Sequence, residues 1–167
     1  DFAGLMRLSE AADWDRAAQE LSTSAQRLEA AGATAIIIGA NSMHKVFDRV
    51  ASSVGVPMIH IAECVGQRMA DKAVKKAVLL GTRNVMIDSF YRQKLIAQDI
   101  ELLAPDLSVI ETLDRIIYDE LVVGKASRQS ERDLRTIITT SEQDGAEAVV
   151  LGCTELEMIV DVDANVL

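Results

Sequence analysis

The stretch GAEAVVLGCTEL, residues 145–156, combines a turn, a buried strand and a strand-to-helix junction in twelve positions. Gly145-Ala146 marks the turn, and the aliphatic residues Val149–Leu151 follow before a glycine and Cys153 end the run. A short, continuous apolar run between glycines is typical of a strand covered on both faces in a parallel sheet. The stretch therefore predicts an α/β fold.

The same pattern occurs earlier in the chain, as GATAIIIGANSM at residues 32–43. Both copies follow an amphipathic helical pattern, and both have Gly-Ala, then an alanine before three aliphatic residues, then a glycine. Two copies this far apart do not stack as a short-period solenoid. We interpret them as related βα units of two pseudo-symmetric halves. The pattern leaves one alternative open, in which Gly-Ala-x-Ala-aliphatic is only the common form of a turn into a buried strand.

Short β-branched runs alternate with longer helical patterns along the rest of the chain, which predicts doubly wound parallel sheets. The predicted strands are residues 35–39, 58–61, 77–80, 100–103 and 148–152. The predicted helices are residues 13–31, 42–53, 63–75, 85–98, 109–123 and 127–144, with a short one after Thr154. No Ser/Gly-rich linker separates the halves, so we expect a tight boundary between an incomplete first α/β domain, residues 1–76, and a second, residues 77–167.

Composition excludes several function classes. A net charge of −9, with only 17 Lys and Arg, argues against nucleic acid or an anionic membrane as the main partner. The apolar runs are too short to span a bilayer, and two cysteines indicate a reducing compartment rather than a disulfide framework. No Cys/His cluster has zinc spacing, and no phosphate-binding glycine loop is present. The net charge says little about a small anionic substrate, which is held by local dipoles.

Candidate chemistry follows the strand in both copies of the repeat. Ligands of open α/β sheets bind beyond the carboxyl ends of strands, where this chain has Cys153-Thr154 and Ala40-Asn41-Ser42. Each group precedes a predicted helix, whose first N–H groups favour a carboxylate and lower the pKa of a cysteine. Asn41, Ser42 and Thr154 also suit the helix N-cap position, and capping is compatible with ligand binding.

Five other residues have weaker signals. Thr82 lies in a loop after a predicted strand, where its hydroxyl could meet a ligand, and Lys125 suits either an anionic substrate group or a solvated helix end. Cys64 lies within a helical pattern and is predicted to be structural. We expect His44 to be a surface or helix-packing residue, and His60, in a predicted strand, to be a core or edge residue.

Two motifs resemble those of a known enzyme family. NSMHKV at residues 41–46 resembles the Asn-Thr-Met-His-Lys segment of aspartate/glutamate racemase relatives, and GCTEL at residues 152–156 resembles their second cysteine motif. LLGTR at residues 79–83, FY at 90–91 and GA at 145–146 follow in the expected order. The resemblance covers the whole chain. It implies two α/β domains related by a pseudo-twofold axis, an active site between them, and catalysis without pyridoxal phosphate or metal.

The resemblance also implies roles for particular residues. Two acid/base groups flank the Cα of an acidic amino acid in this family, and Cys153 takes one of these positions. Ala40 stands where relatives carry the second base, usually a cysteine and sometimes a threonine. The implied substrate contacts are Asn41, Ser42 and Thr154 at the α-carboxylate, with Thr82 and Lys125 as further contacts. A cytoplasmic homodimer is also implied.

The chain departs from the family pattern at several points. Alanine has no titratable group, and Gly39 fills the preceding position, where some relatives have a cysteine. Val85 stands where a threonine is common. The family's N-terminal strand with its Gly-rich loop, and its last strand and helix, are not found between Asp1 and Leu167, so we expect segments to be missing at both ends.

Three functions are compatible with these observations. The first is an amino-acid racemase whose second base is absent or replaced. The second is a relative of arylmalonate decarboxylase, which protonates an enolate with one cysteine, although NSMHK favours the amino-acid branch. The third is a non-catalytic protein that binds an acidic amino acid.

Overall fold

A computed structural model describes residues 2–104 and 106–160, so Pro105 and the end of the predicted second domain, residues 161–167, lie outside the described residues. The strands are β1 (Ile36–Ile37), β2 (Met58–Ile59), β3 (Lys76–Leu80), β4 (Glu101–Leu102) and β5 (Ala148–Leu151). The helices are α1 (Phe2–Glu10), α2 (Trp14–Ala30), α3 (Phe47–Ala51), α4 (Ile61–Asp71), α5 (Arg83–Ile87), α6 (Ser89–Ile96), α7 (Leu107–Arg115) and α8 (Arg128–Gln143). Single-turn segments precede α3 (Ser42–Val46), follow α7 (Ile116–Glu120 and Leu121–Val123) and follow β5 (Thr154–Met158).

All strand pairs in the described chain are parallel. β1 pairs with β2, and β3 lies between β4 and β5 in a three-stranded sheet. In this second sheet Leu80 lies opposite Leu151, so the two strands end side by side. Each predicted strand is present, but most are shorter than predicted. The predicted α/β fold with parallel sheets is confirmed.

The chain divides into two compact units: Asp1–Gly39 with Met43–Ile61, and Ala40–Ser42 with Ala62–Leu167. This division falls after Ile61 rather than after residue 76, because α4 belongs with the second sheet. The boundary between the two predicted domains, at residues 76 and 77, stays a prediction.

The first unit is built on α2. Its apolar face, including Ala18 and Ala25, packs with Ile36 and with Val46 and Val50 around α3. Asp13 caps the start of α2 by accepting a hydrogen bond from the backbone N–H of Arg16.

A second anchor in this unit fixes the entry to β2. The Glu29 carboxylate accepts hydrogen bonds from the backbone N–H groups of Gly55 and Val56, at 2.7 and 3.0 Å. The start of the strand is therefore tied to the end of α2.

The second unit holds the larger core. β3, α7 and α8 contribute side chains with little or no exposed surface, among them Leu80, Ile110, Leu113 and Leu134. Leu156, after β5, joins the same cluster and is fully buried. The segment that follows Cys153 is therefore anchored in the core.

The predicted helices are broken more often than their periodicity indicates. Residues 109–123 form α7, then a π-helical turn and a 3₁₀ turn that ends at Gly124 with φ of 75°. Residues 85–98 are split at Asp88, which has extended dihedrals. The pattern analysis also did not predict α1. The spacing of apolar residues continues unchanged across a single irregular turn, so it does not reveal such breaks in a helix.

The Gly-Ala of the internal repeat has a local explanation. Gly32 and Gly145 follow the last residues of α2 and α8 with φ of 94° and 93°. Left-handed dihedrals after a helix favour glycine, since other residues meet a steric penalty there. The repeat thus marks two equivalent helix ends, each leading into a parallel strand.

None of the helices described is both long and apolar enough to cross a membrane.

We predict that Leu80→Ala destabilises the protein by about 2–5 kcal/mol, because Leu80 is fully buried at the end of the central strand and its loss leaves a cavity. Denaturant unfolding followed by circular dichroism measures the change. Leu107→Ala is the matched control: Leu107 is 68% exposed, and the change should stay within about 0.5 kcal/mol. Equal losses in both variants would contradict the described core.

Candidate active site

Cys153 lies directly after β5, at the carboxyl end of the three-stranded parallel sheet. Its dihedrals are extended, and it is the residue before the 3₁₀ turn Thr154–Met158. Only 7% of its surface is exposed. The sheet thus delivers a buried thiol to the edge at which ligands of α/β proteins bind.

The Cys153 thiol donates a hydrogen bond to Oε2 of Glu155 over 3.0 Å. The Thr154 hydroxyl donates to the same oxygen over 2.9 Å. Burial opposes ionisation of Glu155, but the hydrogen bonds from Cys153, from its own N–H and from Thr154 outweigh it and lower the pKa of this carboxyl. Glu155 is therefore a charged acceptor beside the thiol.

The resting form of Cys153 is the thiol. Burial, the hydrogen bond to Glu155 and the negative charge of Glu155 raise the pKa of Cys153 to about 12. Backbone N–H groups of Glu155 and Leu156 favour the thiolate, but their effect is smaller. The predicted lowering of the cysteine pKa is wrong for this structure, because the turn after Cys153 spans only five residues while desolvation and the carboxylate both act against the anion.

The ends of β3 and β5 approach so closely that both strands continue into glycine. A Cβ on Gly81 would lie 3.0 Å from the backbone carbonyl of Gly152, and a Cβ on Gly152 would lie 2.7 Å from Cγ1 of Val85. The Gly152 N–H donates to the Leu80 carbonyl over 2.6 Å. Thr82 and Cys153, each one residue further along, therefore follow neighbouring strand ends.

Two buried polar atoms in the described residues have no hydrogen-bond partner: Oδ1 of Asn41 and Oγ1 of Thr82. The two residues are 7% and 8% exposed, and both belong to the second compact unit with Cys153. A buried polar group without a partner costs about 1–3 kcal/mol. Both side chains were predicted substrate contacts, and each has a hydrogen-bonding atom that no group in the described protein uses.

The other predicted site residues are more open to solvent. Ala40 is exposed in the loop after β1, Ser42 is half-buried at the start of a 3₁₀ turn, and Thr154 is exposed. Lys125 is exposed after Gly124, and the 3₁₀ turn before it packs against the turn that follows Cys153. Ala40–Ser42 belongs to the same compact unit as Thr82, Lys125 and Cys153, so the sequence-predicted residues share one unit.

The structure places Cys64 and the two histidines outside the group of predicted site residues. Cys64 lies on α4 as predicted, but its side chain is exposed rather than part of the core. His44 is buried, stacks on Phe47 and accepts a hydrogen bond from the N–H of Ile61 at Nε2. His60 is also buried, just after β2, with its ring 4.7 Å from that of His44. Both histidines therefore serve packing within the first unit.

No three His, Cys, Asp or Glu side chains come together as a metal site in residues 2–104 and 106–160.

Comparison with known proteins identifies the family of this chain. The sequence model of the Asp/Glu/hydantoin racemase family matches residues 2–167. The chain belongs to this family. A Yersinia pestis structure assigned to the Asp/Glu racemases is 37% identical, with a TM-score of 0.88 over 98% of this chain and 71% of that one. An aspartate racemase homologue from Pyrococcus horikoshii OT3 is 36% identical, with a TM-score of 0.79 over 90% of this chain and 66% of that one.

Among curated proteins, the chain is similar to the broad specificity amino-acid racemase RacX of Bacillus subtilis (strain 168). The two are 24% identical over 149 residues, which is 89% of this chain and 64% of RacX. The chain therefore spans less than two thirds of the length of this relative. The racemase-like fold that the motifs implied is confirmed.

The sequence analysis did not predict two residues that contact the candidate site: Glu155 and Asp114. Glu155 was available from the GCTEL motif, two positions after the cysteine, but its contact with the thiol required the structure. Asp114 has no sequence signal, because its position in α7 fits an ordinary exposed helix face. It accepts hydrogen bonds from both the backbone N–H and Nε of Arg83, next to Thr82.

We predict that iodoacetamide alkylates Cys153 slowly at pH 8. A thiol with a pKa of about 12 holds on the order of a thousandfold less thiolate than an unperturbed one, and its greater nucleophilicity offsets only part of this. The net rate is expected to be roughly fiftyfold below that of a free thiol, and to rise with pH up to about 12. Mass spectrometry of the Cys64→Ser variant isolates the Cys153 reaction.

Glu155→Gln is the matched control for this prediction. It keeps an acceptor near the thiol but removes the charge, so alkylation of Cys153 should become faster. Equal rates for Cys153 and the exposed Cys64 in the parent protein at pH 8 would contradict a buried thiol held by Glu155.

Proposed function

We propose that this chain carries one half of the proton-transfer apparatus of an amino-acid racemase, with Cys153 acting at the Cα of an acidic amino acid. The observation that carries the proposal is the buried Cys153 thiol, which is hydrogen-bonded to the charged carboxylate of Glu155. Cys153 follows the end of β5, and Thr82, with its unpaired hydroxyl, follows the end of the neighbouring strand β3. Family membership supports the same chemistry.

The two unpaired side chains indicate the kind of ligand. Oδ1 of Asn41 is an acceptor, so its partner is a donor, which the α-ammonium of an amino acid supplies and an arylmalonate does not. The resemblance assigned Asn41 to the α-carboxylate; we propose that its oxygen binds the ammonium instead. Thr82 then donates its hydroxyl proton to a carboxylate oxygen of the substrate.

Lys125, a basic side chain in the same compact unit as Cys153, suits an acidic substrate. We propose that Ser42 and Thr154 complete the α-carboxylate contacts and that Lys125 pairs with the side-chain carboxylate. Lys125 is exposed and follows a turn that packs against the Cys153 segment, so a bound dicarboxylate could order its side chain. Aspartate and glutamate both fit this description, since one methylene changes affinity by only ~1–3 kcal/mol.

Glu155 gives Cys153 a route from thiol to base. Because the pKa of Cys153 is raised and that of Glu155 is lowered, transfer of the Sγ–H proton to Oε2 of Glu155 along their 3.0 Å hydrogen bond is uphill in the ligand-free protein. We propose that the transfer occurs transiently in the substrate complex, where the thiolate then removes the α-proton. The Cα–H bond breaks as the S–H bond forms, and the electron pair remains on the substrate as a carboxylate-stabilised carbanion. Return of a proton from Cys153 restores the original configuration.

Ala40 sets the limit of this reaction. Inversion requires a proton donor on the opposite face of Cα, and alanine offers none. With Cys153 alone, the chain exchanges the α-proton with solvent but does not invert the stereocentre. Catalysis without pyridoxal phosphate or metal, homodimeric assembly and a cytoplasmic location, which the family resemblance implies, are part of this proposal for the intact protein.

A second candidate is a one-cysteine decarboxylase, which is favoured by the protonated resting state of Cys153. Such an enzyme delivers a proton to an enolate after carbon dioxide leaves, and needs no second base. The acceptor oxygen of Asn41 favours the amino acid over a malonate. A third candidate, a non-catalytic binder, needs the ligand contacts but not the thiol.

We predict that the protein exchanges the α-proton of L-aspartate or L-glutamate for deuterium in D₂O without forming the D-isomer. Proton NMR follows the exchange, and chiral chromatography follows the isomer. Cys153→Ala should reduce exchange by about 10²-fold or more, because it removes the acid/base group. Cys64→Ser, which changes the other cysteine, should leave exchange intact.

The outcomes separate the candidates. Release of carbon dioxide from an arylmalonate, without exchange in amino acids, would identify the decarboxylase. Binding of an acidic amino acid without exchange of its α-proton would contradict the proposed catalysis and favour a non-catalytic binding protein.

We further predict that Ala40→Cys creates racemase activity, with D-isomer formation rising by about 10²-fold or more over the parent chain, because it places a second acid/base group at the position of the missing one. Chiral chromatography measures the gain. Ala40→Val is the control of similar size without a group that can donate or accept a proton. Equal D-isomer formation by the parent chain would mean that another residue already supplies the second proton.

A further inference from the structure

Thr82 stands at the N-cap position of α5 but does not cap it. Its dihedrals, φ of −68° and ψ of 157°, are those of an N-cap residue, yet its side chain makes no capping hydrogen bond. A threonine at this position normally accepts a hydrogen bond from a backbone N–H two or three residues later, here Asn84 or Val85. Instead Oγ1 is buried and unpaired.

A carboxylate from another helix meets the first N–H of α5. Oδ1 of Asp114, on α7, accepts from the backbone N–H of Arg83 over 2.9 Å, and Oδ2 accepts from Nε of Arg83 over 3.1 Å. The Asp114 side chain is 23% exposed, so this two-point contact is partly shielded from water. The start of α5 is thus fixed by a residue outside the helix.

From this geometry we infer that Asp114 is a positioning residue: its carboxylate occupies the start of α5 at the Arg83 N–H, and this keeps the Thr82 hydroxyl from turning to cap Asn84 or Val85 and leaves it unpaired. The inference rests on the proposed role of Thr82 as a substrate contact. Asp114 itself does not touch the substrate. Its effect on the ligand passes through the side-chain rotamer of Thr82.

Two substitutions of Asp114 separate its capping role from its charge. Asp114→Leu removes every acceptor, so Thr82 should turn to cap Asn84 or Val85, and the dissociation constant for L-aspartate should rise about tenfold as one hydrogen bond to a charged group is lost. Asp114→Asn keeps one acceptor for the Arg83 N–H and should stay close to the parent protein. Isothermal titration calorimetry measures both affinities.

A crystal structure of ligand-free Asp114→Leu provides a readout that does not depend on the substrate. We expect Oγ1 of Thr82 within hydrogen-bond distance of the Asn84 or Val85 nitrogen. An unmoved Oγ1 overturns the inference, whether or not any amino acid binds. If the parent protein binds neither L-aspartate nor L-glutamate, the proposed function fails, and this structure alone decides whether Asp114 positions Thr82.

Thr82→Val tests whether the two residues act through one contact. It should weaken L-aspartate binding about tenfold, and Thr82→Val with Asp114→Leu should be no weaker than Thr82→Val alone, because the second change has no hydroxyl left to redirect. Fully additive losses would overturn the inference.

Asp106→Ala controls for general loss of stability in the same helix. Asp106 caps α7 by accepting hydrogen bonds from the N–H groups of Ser108 and Val109. Its removal should lower the melting temperature without changing the dissociation constant. If Asp106→Ala and Asp114→Leu weaken binding equally, Asp114 has only a structural role and the inference fails.

Discussion

The pairing of β3 with β5 is the constraint on which the candidate site depends. Leu80 and Leu151 lie opposite each other, and the Gly152 N–H continues the ladder to the Leu80 carbonyl. Both strands then pass through glycines at which an added Cβ would lie 2.7–3.0 Å from a neighbouring atom. Because the register is fixed up to the last residue of each strand, the next side chains, Thr82 and Cys153, are delivered to one edge of the sheet. Their chemistry follows from this placement.

Burial at the carboxyl end of this sheet leaves Cys153 and Glu155 in opposite charge states. Burial raises the pKa of Cys153 and keeps it as a thiol, while hydrogen bonds keep Glu155 ionised beside it. The same burial makes the unpaired oxygens of Asn41 and Thr82 costly to leave without a partner. The folded protein tolerates these costs at two side chains that we propose to be substrate contacts. Residues that break local rules are expected at functional sites.

Much of the fold could be predicted because it depends on local patterns. Continuous apolar runs identified all five strands, and Gly32 and Gly145 marked real helix ends. The breaks at Asp88 and after Arg115 were not predictable, because apolar spacing continues across them. The motifs also identified Cys153, Thr82 and Asn41 as site candidates. Contacts between elements, such as Asp114 with Arg83, depend on helix packing that no short motif encodes.

The hydrogen bond between Cys153 and Glu155 should slow the oxidation of the Cys153 sulfur. Peroxides attack the thiolate, so a cysteine held as a thiol in a buried setting is oxidised slowly. The Glu155 carboxylate, by holding the proton on the sulfur, also protects it. Cys153 should therefore resist conversion to sulfenic and sulfinic acid, whereas Cys64, exposed on α4, has no such burial.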